Sequence, residues 1–137
     1  MVGAVIVTHG GLAEELLEAT ERIVGPTEKI CAVAIDWDDE ITEARRQIEA
    51  AITSVSGDGR VLIFTDMFGG TPTNVSLAFL EQDRVEIITG VNLPMLVKLT
   101  SLQSSEDSLL EIARQVRDRG QKSVYVASEI LSSQEQT

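Results

Sequence analysis

Short, continuous apolar runs recur along the chain, and between them lie segments whose apolar residues return every three or four positions. The runs are VGAVIVT at residues 2–8, ICAVAI at 30–35, RVLIFTD at 60–66, VEIITGV at 85–91 and SVYVAS at 123–128. A strand that is apolar on both sides must be covered on both sides, and crossover helices do this when strands run parallel. The alternation therefore predicts an α/β fold: a three-layer, doubly wound sheet of four parallel strands with right-handed crossovers, and SVYVAS as a fifth strand.

The helices between the runs have recognisable ends. The first is predicted from about Leu12 to Val24, where Gly25-Pro26 stops it, with Leu12, Leu16, Leu17, Ile23 and Val24 in one stripe. Asp38 or Asp39 is placed to cap a second, Glu40 to Val55, before the turn SGDG. Further helices are predicted from Pro72 to about Glu81, near Met95 to Leu102, and from Ser108 to Arg119 with Gly120 as the stop. At 137 residues the chain has the length of one domain, assigned to residues 1–130, and the polar SSQEQT predicts a flexible tail over 131–137.

Charge and cysteine usage narrow the partners. A net charge of −11 repels nucleic acid and anionic membrane surfaces and suits a basic protein partner, although an acidic surface also serves solubility alone. Cys31, the only cysteine, lies inside ICAVAI and is expected to be a buried, inert thiol in a reducing compartment. The N-terminus carries no basic region or cleavage motif and no run reaches membrane-spanning length, so the expectation is a cytoplasmic protein without direct membrane insertion.

In doubly wound sheets, functional groups gather beyond the carboxyl ends of strands where strand order reverses. Strand 1 ends in Thr8-His9-Gly10, strand 3 in Thr65-Asp66 and strand 4 in Gly90-Val91-Asn92. In the order 2-1-3-4, His9, the only histidine, faces Asp66. A carboxylate that accepts the Nδ1 proton fixes the tautomer and leaves the Nε2 lone pair to attack an electrophile. A purely structural polar pair fits the same positions.

In DMFGGTPTN, the glycines permit close backbone approach and positive φ, Thr71 suits a helix N-cap and Pro72 the first turn. Free amides of Gly70, Thr71 and their neighbours would suit a phosphoryl group, while a merely well-capped helix remains the alternative. No phosphate-binding nucleotide motif is present, one His and one Cys cannot build an ordinary zinc site, and DWDDE at 36–40 matches no calcium loop. The expectation is therefore no metal and no cofactor.

VTHGG, DMFGGTPTN and GVNLPML, in this order at successive strand ends, resemble the enzyme IIA component of the mannose class of the bacterial phosphoenolpyruvate-dependent sugar phosphotransferase system, over residues 1 to about 130. The resemblance implies a phosphotransferase that takes a phosphoryl group from the phosphocarrier HPr on His9 and passes it to a IIB domain or protein. It implies Asp66 as the orienting carboxylate, with Gly69, Gly70, Thr71 and Asn92 around the phosphoryl group. It also implies a homodimer in which the fifth strand is an antiparallel edge strand that can be exchanged, an edge strand within one chain being the alternative. Trp37 and Phe68 fit either a docking surface or simple packing. No IIB domain follows strand 5, so the onward acceptor is expected elsewhere or to be absent. Two readings of other kinds stay open: a regulatory module whose phosphorylation selects partners, and the phosphotransfer subunit of dihydroxyacetone kinase, whose loop after strand 3 differs from GGTPTN.

Overall fold

A computed structural model describes residues 1–135. The strands are β1 (Gly3–His9), β2 (Ile30–Ile35), β3 (Val61–Thr65) and β4 (Val85–Ile88), all parallel, in the order β2-β1-β3-β4. The helices are α1 (Leu12–Val24), α2 (Ile41–Val55), α3 (Thr71–Ser76) continued by a 3₁₀ turn at Leu77–Phe79, α4 (Leu93–Leu102), α5 (Leu109–Lys122) and α6 (Ala127–Glu135). The four parallel strands and their order are those predicted.

Alternation along β1 and β3 divides the core into two layers. Ala4, Ile6, Leu62 and Phe64 face α1, α4 and α5, where Met95, Leu96, Leu99, Ile112 and Val116 pack against them. Val5, Val7, Val61 and Ile63 face the other way, onto Ala44, Ile48, Ala51 and Val55 of α2 and Val75 of α3. β1 and β3 are wholly buried except for His9, the last residue of β1, so their backbones form a rigid floor ending at the switch point. Cys31 is half-buried, and burial pushes its thiol upward, which suppresses thiolate chemistry.

Several element boundaries differ from the sequence reading. The helix predicted to reach Glu81 stops at Ser76, because a tight turn pairs the Glu81 and Val85 backbones and needs the chain clear of the helix. Glu40, without a side-chain bond, takes the N-cap of α2; Asp39 instead closes its own turn by accepting from the Asp36 N–H at 2.9 Å. Gly120 does not stop α5: a Cβ there would collide with the Met95 side chain, so the glycine lets α4 and α5 approach.

SVYVAS forms no strand. Residues 124–126 run exposed between α5 and α6, and Ala127 already begins a helix. β-branched residues favour a strand only when a neighbouring ladder accepts their backbone groups, and among the described residues none pairs with them. The tail expected from Leu131 falls on α6 as far as Glu135; 136 and 137 lie outside the described residues.

Candidate functional site

The parallel register sets Val7 beside Thr65 and His9 beside Ile35, so His9 and Asp66 emerge side by side where β1 and β3 end. Asp66 Oδ2 accepts two hydrogen bonds from one residue, from the His9 backbone N–H at 2.9 Å and from Nδ1 at 2.8 Å. With the carboxylate ionised, Nδ1 must carry the proton, so the free lone pair lies on Nε2. Burial by itself would raise the Asp66 pKa; the His9 backbone N–H, the imidazole hydrogen bond and the imidazole charge outweigh it and hold the carboxyl below its ordinary range. Asp66 Oδ1 is buried without a hydrogen-bond partner, an unmet acceptor that adds to the cost of keeping the carboxylate there.

The glycines of DMFGGTPTN divide the two roles expected of them. Gly69 takes the positive φ, +90°. Gly70 takes the close approach: a Cβ on it would stand 2.6 Å from His9 Cε1 and 3.0 Å from Nε2. The loop therefore passes directly against the ring edge that carries the lone pair. Gly70 itself holds the N-cap position of α3, so Thr71 is not the cap it was expected to be. Thr71 opens the first turn with an exposed side chain, and Pro72 follows it.

Residues outside the expected set hold this loop. The Thr73 hydroxyl donates to the Met67 carbonyl at 2.5 Å, and so its 2.7 Å contact with Thr65 is one in which Thr65 donates. Both threonines are buried. On the other side of His9, the buried Thr8 hydroxyl accepts from the Ala13 N–H at 2.7 Å and steadies the start of α1, whose N-cap residue, Gly11, has no side chain to offer. Thr8 and Thr65 are polar residues ending runs that are otherwise apolar, which is the signal that marks them.

Asn92 is committed elsewhere. Its Oδ1 accepts from the Met95 N–H at 3.1 Å as the N-cap of α4, and its Nδ2 donates to the Gly120 carbonyl at 3.2 Å. Trp37 and Phe68 are not core: both are exposed, and Trp37 stacks on the His9 ring. Among the described residues, no group of three or more His, Cys, Asp or Glu side chains is arranged to hold a metal, and no helix is long and apolar enough to cross a membrane.

Fold and site together define a small doubly wound domain with a carboxylate-oriented histidine at its topological switch point. Residues 3–117 match the family described as PTS system fructose IIA component, and the chain belongs to this family of phosphotransferase-system components. It is 30% identical over 132 residues to the PTS system fructose-specific EIIA component of Bacillus subtilis, spanning 96% of this chain and 90% of that protein. It is 27% identical over 124 residues to the PTS system mannose-specific EIIAB component of Escherichia coli, spanning 90% of this chain but only 38% of that longer protein. The crystal structure of the PTS IIA protein associated with the fucose utilization operon of Streptococcus pneumoniae superimposes with a TM-score of 0.81 at 30% identity, covering 95% of this chain and 96% of that one. Phosphotransferase component EIIA of Streptococcus agalactiae has the same fold, with a TM-score of 0.84 at 23% identity over 94% and 99% of the two chains.

Proposed function

We propose that this protein is a phosphoryl carrier of the sugar phosphotransferase system, acting in the cytoplasm in sugar uptake or its regulation. It accepts a phosphoryl group from HPr on His9 Nε2 and passes it to a IIB domain or protein. One observation carries the reading: the Asp66 carboxylate holds Nδ1, and the glycine loop lies against Nε2, where the phosphorus would arrive.

The chemistry needs little beyond these groups. His9 attacks in line, the transition state spreads charge over the equatorial oxygens, and the backbone amides of Gly70 and Thr71, with the Thr71 hydroxyl, meet that charge. With six residues, α3 adds little dipole, so the amides carry the stabilisation. Asn92 belongs to the scaffold in this scheme, because both ends of its amide are already bonded. His9 keeps a fifth of its side chain exposed, at 19%, as transfer between two proteins requires. We also assign the protein to a homodimer formed through the exposed residues 124–126 and the free edge of β4.

The test is incubation with phosphoenolpyruvate, enzyme I and HPr, followed by intact-mass detection of an acid-labile phosphoryl group. His9→Ala should take no label. Asp66→Ala should take it about ten- to a hundredfold more slowly while remaining folded, the usual loss when a carboxylate that orients an imidazole is removed. Normal labelling of either variant rejects its assigned role.

A further inference from the structure

Trp37 is the only tryptophan of the chain, and at 83% exposure it is the most exposed large apolar side chain among the described residues. An indole left so far in water contributes nothing to the core. Its place is nevertheless fixed. The register sets Ile35 beside His9, the Gly10 N–H donates to the Ile35 carbonyl at 3.0 Å, and the Asp36–Asp39 turn folds the chain back immediately afterwards. The indole is thereby laid on the His9 ring, with centroids 4.9 Å apart and planes inclined by 26°.

The imidazole thus has three kinds of neighbour: a carboxylate at Nδ1, a glycine backbone at the Nε2 edge and an indole on one face. The third neighbour's worth depends on the ring's charge. When Nε2 donates its lone pair to phosphorus, the donor's bond to phosphorus breaks and that electron pair leaves with the donor. The Nδ1 proton stays between the ring and Asp66, so the ring becomes an N-phosphoryl imidazolium, a cation lying against the electron-rich face of an indole. Tryptophan is the aromatic side chain that attracts a cation best.

Building on the carrier reading above, we infer that Trp37 is a positioning residue whose π face stabilises the cationic ring of phosphorylated His9 and so lengthens the life of the phosphoryl-bearing state. Loss of the group to water reverses the charge: the N–P bond breaks, its electron pair returns to Nε2, and the ring becomes neutral. The stacking gained by the cation is forfeited along that path, which slows it. Asp36, Asp38 and Asp39 share the loop with Trp37 and also favour the cation, but they are unchanged when the indole alone is replaced.

A docking role for Trp37 would alter how labelling depends on the concentration of the donor protein; stabilisation of the ring alters the isolated phosphoprotein. The experiment therefore labels the wild type, Trp37→Phe and Trp37→Leu with phosphoenolpyruvate, enzyme I and HPr, separates each from the donors, and follows loss of the phosphoryl group by intact mass at neutral pH. Trp37→Leu should lose it about three- to thirtyfold faster than wild type, the span expected of an aromatic–cation contact between exposed and partly desolvated, while Trp37→Phe should recover much of the lifetime. Trp37 emission should change on labelling of the wild type and stay constant in His9→Ala under the same treatment. Equal lifetimes for wild type and Trp37→Leu, or for the Leu and Phe variants, would overturn the inference while leaving the carrier reading intact. A wild-type protein that takes no label would overturn the carrier reading, and the inference with it.

Discussion

At Gly70 the backbone adopts φ −88° and ψ 171°, a conformation open to any residue, so its dihedral angles do not explain why glycine stands there. The imidazole does, because a methyl group would sit within 3.0 Å of two ring atoms that Asp66 and Trp37 hold from other sides. Gly70→Ala should therefore leave stability within about 1 kcal/mol of wild type, the relaxed backbone offsetting the contact. Labelling of His9 should fall about ten- to a hundredfold, since the ring must tilt away from its carboxylate. Chemical unfolding and intact-mass kinetics on the same preparation read both, and full-rate labelling would show that the loop need not touch the ring. The sequence supplied the glycine pair but not which member turns the chain and which meets the ring. That division follows from where the imidazole lies, and no local pattern encodes it.

At the scale of elements, the switch point is rigid because each loop around it is tied to a helix start. Thr8 bonds into α1, Thr73 ties α3 to β3, and Asn92 joins the start of α4 to α5. Asn92→Ala removes a helix cap and one of the two donors to the Gly120 carbonyl, the Ser123 N–H remaining, a loss of about 1–2 kcal/mol in urea unfolding. The labelling rate measured well below the unfolding midpoint should be unchanged; a slower rate at unchanged stability would return Asn92 to the phosphoryl site, where the family resemblance had put it. Most elements were legible, since continuous apolar runs and helical stripes are local signals. α1 and β2 occupy the residues predicted for them. The caps were less legible: Thr71, Asp38 and Asp39 all suit an N-cap, yet Gly70 and Glu40 occupy those positions, because the turns needed to clear the site decide where each helix can start.

For the whole molecule, assembly turns on the sheet's edges. Among the described residues β4 has β3 as its one strand neighbour, with Glu81 bridging to Val85 at its start, and Val124, Tyr125 and Val126 stand 75%, 67% and 61% exposed in a stretch that joins no strand, the Val126 carbonyl instead accepting from the first turn of α6. If this stretch joins the edge of a second copy, Tyr125→Asp with Val126→Glu should convert a dimer to a monomer in sedimentation velocity, while costing the monomer no more than about 0.5 kcal/mol per exposed site. An unchanged dimer would reject the interface, and a monomeric wild type would reject the dimer. Here the sequence pattern was ambiguous for a physical reason, since a β-branched run states a preference and not the partner that satisfies it.

What the sequence determined by itself was everything that repeats with a local period: four apolar strands, the helices that cover them, and therefore the parallel order that brings the ends of β1 and β3 together. Those strand ends already named His9 and Asp66. Only the tertiary structure decided that Gly70 touches the ring, that the Asn92 amide is occupied by α4 and α5, and that Trp37 lies on the imidazole. These are contacts between segments far apart in the chain. Their geometry is set by register, loop closure and packing, and none of these leaves a periodic trace in the order of the residues.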